Sequence, residues 1–423
     1  MIEKQTLLAA VKKRRGELVE LTQALVRMKT ENPPCDMREI ANFAEAYFRD
    51  SGIPVQRYEP VAGRISLVAT VQGRGPRTLA FNGHLDVVPA GNRSTWRVDP
   101  YAAEIIDGEL WGRGSADMKS KIAAAMVLAR VLKELNMPLS GAWTVMLVPD
   151  EETGGEYGTK WLVEQNLVRA DAVIVGEGAG RHYGVANKGC LGVDLKLTGR
   201  SAHAARPFEG DNAVERLAAL LPRLRDLESW EPDLPVEVKE IIELSRPFHE
   251  ENARKRNVPV DLYLWSLGHT TVNVGTFRGG TKRNVVADTA VAELDLRYPP
   301  GVSGEEVRSQ MEKLVRELAV PGLTMEIAFD FEPFYQDVKA EIVQVSKEAL
   351  HELGICVEPY PVFKGSFNDC RHLQRGGIPS VVLGHDGSGG HVPNERCGVE
   401  EIMQTACLYA AVAFEFLRKG VGG

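Results

Sequence analysis

Apolar residues recur with helical spacing near 3–29, 37–51, 119–136, 157–166, 211–228, 304–319, 338–353 and 399–418, which predicts amphipathic helices there. Between them lie short apolar runs with strand character: SLVATV (66–71), TLAFNGH (78–84), AWTVMLV (142–148) and DAVIV (171–175). Later runs of the same kind are CLGVDLKL (190–197), TVNVGTF (271–277), VVADTAVAELDLRY (285–298), LTMEIAF (323–329) and PSVVLG (379–384). Strands and helices alternate over the first 180 residues, a pattern that predicts α/β layering on a mostly parallel sheet. From 190 to 302 the order changes to strand, helix, a polar charged stretch (229–270) and two strands in quick succession. That order predicts a smaller α+β module inserted into the α/β domain, which resumes after Pro299-Pro300-Gly301. The expected boundaries are 1–189 and 303–423 for the two parts of the α/β domain and 190–302 for the insert.

Composition narrows the class. A chain of 423 residues, 44% apolar and 26% charged, is ordinary for a soluble globular protein and excludes disorder as its main theme. With 50 Lys and Arg against 58 Asp and Glu the net charge is −8, so no basic footprint for a nucleic acid exists. No apolar run approaches the roughly 18 residues a membrane helix needs. Even TACLYAAVAFEFL is broken by Glu415. The six cysteines (Cys35, Cys190, Cys356, Cys370, Cys397 and Cys407) show no C-x-x-C pair and are too sparse for a disulfide framework. The first residues, MIEKQTLLAAVKKRRGE, carry charge throughout and lack a signal-peptide core. A reduced, cytoplasmic protein is expected.

Five separated stretches carry the chemistry. In Asn82-Gly83-His84-Leu85-Asp86 a buried-type strand ends in a histidine, with an aspartate two positions on. At that spacing both side chains share a face, so the Asp86 carboxylate can accept one imidazole N–H of His84 while the other nitrogen faces a metal. In Gly112-Arg113-Gly114-Ser115-Ala116-Asp117, Asp117 precedes an apolar helix, where a helix cap is the plainer assignment. Asp150-Glu151-Glu152 places three acids at the end of an apolar strand, an unfavourable arrangement without a cation. Adjacent extended residues point to opposite sides, so one of Glu151 and Glu152 can bind metal while the other addresses a water. Glu177 stands at the C-terminal end of another buried strand, where open α/β sheets hold ligands. His391 lies in the glycine-rich Gly387-Ser388-Gly389-Gly390-His391. Oxygen and imidazole donors without thiolate suit zinc, cobalt or manganese, and so acidic a set suggests two metal ions.

At these residues the sequence resembles the M20 metallopeptidase family, especially its acetylornithine deacetylase and succinyl-diaminopimelate desuccinylase branch. The matching motifs are NGHLDVVP, GRGSADMKSKIAA, PDEETGG, VGEG, GRSAHAARP and GGHVPNE, in family order from 79 to 395. The resemblance implies that His84 and Glu177 ligate one metal, Glu152 and His391 the other, with Asp117 bridging before a cis peptide bond to Met118. It further implies Asp86 behind His84, Glu151 as general base, and two divalent cations, zinc first, with cobalt or manganese as alternatives. The insert becomes a lid and dimerisation domain in a homodimer, carrying His203 as a donor to the substrate, in cis or in trans, and Asn273 as a substrate contact. The implied activity is removal of an N-acyl group from an amino acid or small amine. A dipeptidase or carboxypeptidase-like activity is the alternative within the class, and a non-catalytic dimeric ligand-binding homologue the rival outside it.

The chain also departs from the family pattern. Many relatives have proline after the ligand acid, whereas Gly178 follows Glu177 here. The turn Gly279-Gly280-Thr281-Lys282-Arg283-Asn284 puts Lys282 and Arg283 where a substrate carboxylate could bind, or where a basic turn simply faces water. His182, His249, His269, His351 and His372 are expected to be surface or structural; His385 could line a pocket. Neither H-E-x-x-H nor G-x-S-x-G occurs, which gives single-zinc helical proteases and serine hydrolases no support.

Overall fold

A computed structural model describes residues 2–136 and 139–418, which divide into two units. The first comprises Met1–Val185, Gln336–Val362 and Asn368–Gly423. Its sheet runs in the order Val55–Val61, Arg64–Val71, Gly141–Val148, Arg77–His84, Ala172–Val175, Ser380–Val382 and then the start of Tyr183–Asn187. The four strands in the middle are parallel. Antiparallel strands flank them on both sides. The parallel strands are buried along their length, as expected of a sheet covered on both faces by crossover helices.

The longest helix, Val399–Arg418, explains the apolar run near the end of the sequence: it packs against the helices Ile2–Lys13, Ser120–Leu135 and Glu341–Glu352 as well as the sheet. Beyond its exposed Glu400, Glu401 and Gln404 the helix is buried from Thr405 to Phe414, and a stretch so enclosed needs no polar face. Among the described residues no helix is long and apolar enough to cross a membrane. All six cysteines are free thiols.

The second unit comprises Ala186–Tyr335 and Phe363–Phe367. Its four-stranded antiparallel sheet runs Thr271–Gly279, Thr289–Tyr298, Gly189–Thr198, Leu323–Phe331. Alternate residues of the inner strands, Leu191, Val193, Leu195, Ala292, Leu294 and Leu296, face a core, while Asp194, Glu293 and Asp295 take the other side. This unit continues past 302. The helix Gly304–Leu318 contributes Val307, Met311 and Leu314 to the same core, and Leu323–Phe331 pairs with Gly189–Thr198. Pro299-Pro300-Gly301 is therefore a turn inside the unit, where the sequence suggested a boundary.

Local chemistry moves other boundaries. The predicted helix 3–29 is two, Ile2–Lys13 and Arg15–Arg27, with Arg14 out of helical geometry between them. Pro222 lacks the donor to continue an α-helix, so the α segment Ala213–Leu220 gives way to a tighter 3₁₀ run. The charged stretch 229–270 is largely helical: Val236–Leu244, Arg246–Arg256 and Val260–Gly268. Few of its apolar residues are buried (Val238, Ile241, Ala253 and Leu267 among them), and i,i+3 and i,i+4 ion pairs such as Arg246–Glu243 and Lys255–Glu251 occupy exposed positions.

Leu296 is fully buried in the second unit's core. Leu296→Ala is expected to cost about 2–5 kcal/mol, read as a lower urea midpoint for that unit's transition at unchanged slope.

Candidate metal centre

Parallel register brings the candidate residues level. His84 is the last residue of its strand and pairs with Val148, after which Pro149 and Asp150 lead to Glu151 and Glu152. Val175 pairs with Val382 and also lies beside Asn82, so Glu177 and the loop that carries His391 leave the sheet at the same end. That end is the carboxyl end of the strands, where an open α/β sheet has room for a ligand.

The side chains converge there. His84 Nε2 lies 3.2 Å from both Asp117 Oδ1 and Glu177 Oε1. His391 Nε2 is 3.3 Å from Asp117 Oδ2 and 3.1 Å from Glu152 Oε2. The Asp117 carboxylate therefore spans the two imidazoles. Two overlapping sets, His84 with Glu151 and Glu177, and His84 with Asp117 and Glu152, each place their donor atoms within 4.8 Å of one another. The helix Ser120–Leu135 has no side-chain cap, so the cap assignment for Asp117 gives way to one in which it faces the histidines. The Asp117–Met118 peptide bond is cis.

Asp86 organises the rear of the site. It is fully buried, with Oδ1 3.3 Å from His84 Nδ1. Its carboxylate also accepts the Glu151 and Glu152 N–H groups, both at 3.2 Å, and the Asn32 amide at 2.8 Å. His84 Nδ1 also meets the Asp86 backbone carbonyl oxygen at 2.9 Å, so this one residue orients the imidazole while its carboxylate pins the acidic loop. Sequence reasoning missed Asn32, because an asparagine before two prolines reads as a turn residue.

Sequence reasoning also passed over Glu395 as a site residue. Its Oε1 accepts the Ala116 and Asp117 N–H groups at 2.9 Å, and its Oε2 meets Arg113 Nη1 at 2.5 Å; both side chains are buried. Gly114 lets this loop turn at φ +87, where a Cβ would lie 2.8 Å from Val87. Lys119 Nζ donates to Met28 O at 2.7 Å, and Lys121 Nζ donates to Ala116 O. Two buried ammonium groups and a guanidinium thus brace the loop from behind.

Electrostatics explains what the cluster is built to hold. Burial pushes the Glu151 carboxyl well above its ordinary range, and Glu177 and Glu152 push it further. Burial likewise raises Glu152. Burial also works to raise Asp117, but hydrogen bonds from His391 and His84 outweigh it and hold that carboxyl well below its ordinary value. His391, bonded to Asp117 and Glu152, is pushed up to about 11. So many carboxylates in a dry place need positive charge. Glu152 Oε1 is buried with no hydrogen-bond partner, and every donor of the cluster is a carboxylate oxygen or an imidazole nitrogen. Divalent cations fit this set.

His203, Asn273 and Arg283 belong to the second unit and are exposed on it. His203 pairs with Val285 in an isolated bridge, and its Nδ1 accepts the Ala205 N–H at 3.1 Å. Asn273 sits in the edge strand Thr271–Gly279, and Arg283 in the turn that follows it. His372, by contrast, is buried beneath the acidic loop, its Nε2 3.1 Å from Gly154 O.

Residues 80–415 match the model of Peptidase family M20/M25/M40. Among curated sequences, one named succinyl-diaminopimelate desuccinylase 2, from Ruegeria sp. (strain TM1040), is 29% identical over 411 residues, 94% of each chain. Among solved structures, an M20 family metallo-carboxypeptidase, Sso-CP2 from Sulfolobus solfataricus, superposes with a TM-score of 0.81 at 20% identity, covering 95% of this chain and 99% of its own. Human carnosine dipeptidase 1 does so with a TM-score of 0.74 at 18% identity, covering 99% and 100%. These two structural likenesses concern the fold.

Asp86→Asn keeps the size of the side chain but removes one acceptor from the network behind His84. It is expected to weaken metal binding by about 10–100-fold, measured by competition with a chromogenic chelator.

Proposed function

Because the chain belongs to peptidase family M20/M25/M40, we propose that it is a cytoplasmic, homodimeric amidohydrolase that removes an N-acyl group, such as acetyl or succinyl, from an amino acid or small amine. The observation that carries this reading is the placement of Glu151. Its backbone is fixed by Asp86, and its carboxyl is buried among the candidate ligands, with burial raising its proton affinity. A carboxyl so placed is suited to take a proton from an attacking water and hand it to the departing amine.

The remaining residues take the roles their positions suit. His84 and Glu177 would hold one cation, His391 and Glu152 the other, and Asp117 both. Two divalent cations, zinc first and cobalt or manganese as alternatives, would supply Lewis-acid polarisation of the amide carbonyl and a water of lowered pKa. Asp86 keeps the His84 imidazole in the tautomer that presents Nε2 to the site. His203 is the proposed donor to the carbonyl oxygen as charge builds on it, while Asn273 and Arg283 are proposed to bind the rest of the substrate.

The desuccinylase named above supports the deacylase over the peptidase reading, since it is 29% identical where the carboxypeptidase is 20% and the dipeptidase 18% identical. A panel of N-acetyl, N-succinyl and N-formyl amino acids beside dipeptides tests the choice; faster turnover of dipeptides would replace the proposal with a peptidase. Glu151→Gln is expected to lower kcat by about 10²–10⁴-fold while metal content stays at the parent's level. Equal rates in variant and parent would remove Glu151 from the chemistry, and no turnover by the parent on any panel member would favour a ligand-binding homologue. His203→Ala is expected to lower kcat with KM little changed, and light scattering should give twice the chain mass. A monomer with full activity would end the dimer assignment.

A further inference from the structure

A cavity of about 460 Å³ opens in the first unit, lined by Arg181, His385, Asp386, Glu401, Gln404 and Thr405 among others. None of the candidate metal ligands lines it. At its floor His385 is buried between two hydroxyl groups, with Nδ1 2.9 Å from Thr405 Oγ1 and Nε2 3.2 Å from Ser120 Oγ. Arg181 spends its Nε on Ile355 O at 2.5 Å and pairs with no carboxylate among the described residues. Glu401 and Asp386 put negative charge in the same cavity, and Glu401 Oε2 accepts the Gly398 N–H at 2.9 Å.

Both signs of charge in one small concave space select the ligand. An anion alone would meet two carboxylates, and a cation alone would meet the guanidinium. A small zwitterion satisfies both, and the volume lies toward the lower end of the roughly 300–1,000 Å³ usual for small-molecule pockets. We propose that this cavity binds a free α-amino acid, its carboxylate on Arg181 and its ammonium on Glu401 and Asp386, and that its occupancy is coupled to the metal centre.

The coupling follows from chain continuity. Arg181 follows Glu177 across the turn Gly178-Ala179-Gly180. His385 and Asp386 begin the loop that ends at His391, and Ser120, bonded to His385, opens the helix after Asp117-Met118-Lys119. Asp386 also packs on the turn after Glu177: a Cβ on Gly178 would lie 2.6 Å from Asp386 Oδ1, and one on Gly180 2.9 Å from Oδ2. The absence of a side chain at Gly178 is thus what admits Asp386. A ligand that draws Arg181 and Asp386 toward itself moves the segments that carry Glu177 and His391. By linkage, metal binding must alter amino-acid affinity by the same factor.

The proposal goes beyond the deacylase reading and does not rest on it, because binding is measured without turnover. Isothermal titration of the metal-loaded protein with glycine, L-alanine, L-glutamate and L-lysine is expected to show binding of at least one. Arg181→Met removes the carboxylate partner, and Gln404→Trp fills the cavity without changing its charge. Each is expected to weaken that binding by about tenfold or more, with metal content and melting temperature as in the parent. If the parent binds none of the four, or if both variants bind as the parent does, the site is not there.

Discussion

A carboxylate out of reach of water holds the site together. Burying such a group costs several kcal/mol unless its oxygens are fully engaged. Asp86 meets that condition by drawing in three separate parts of the chain: the imidazole at its own strand end, two backbone amides of the acidic loop, and the side chain of Asn32. None of these can shift without leaving part of Asp86 unsatisfied. The positions of Glu151 and Glu152 are therefore set by backbone hydrogen bonds to Asp86.

The same logic repeats on the opposite side of the cluster. Glu395 holds the peptide amides before Asp117 and is itself held by Arg113, while Lys119 and Lys121 bond carbonyls of neighbouring segments. Burial lowers Lys119 to about 7, with Glu395 and Asp86 acting against it. The carboxylates at the front are thus backed by donors from Arg113, Lys119 and Lys121 that engage the loop from behind.

Much of this was legible from residue order alone. The strand ends announce themselves through apolar runs that stop at His84, Val148 and Val175, and parallel pairing makes those ends coincide. The alternation of strand and helix was sufficient for the α/β class. What stayed hidden depends on partners distant in sequence. Asn32 and Glu395 look like a turn residue and a loop acid until the fold sets them against Asp86 and Arg113. The extent of the second unit was hidden for a similar reason, since Leu323–Phe331 belongs to it through pairing with a strand more than a hundred residues earlier. The helices within 229–270 were obscured because short helices covered in ion pairs bury too few apolar residues to show a clear period.

The first unit is written in three pieces, and its last parallel strand, Ser380–Val382, comes after the whole of the second. On the ribosome, domains generally fold as units and the N-terminal ones first. Here the second unit's sheet is fully synthesised while the first still lacks a strand and the loop of His391. A chain cut short between Glu177 and His391 carries His84, Asp117, Glu151, Glu152 and Glu177 but only one of the two histidines. Interrupted translation within that span consequently yields a fragment without the complete set of candidate ligands.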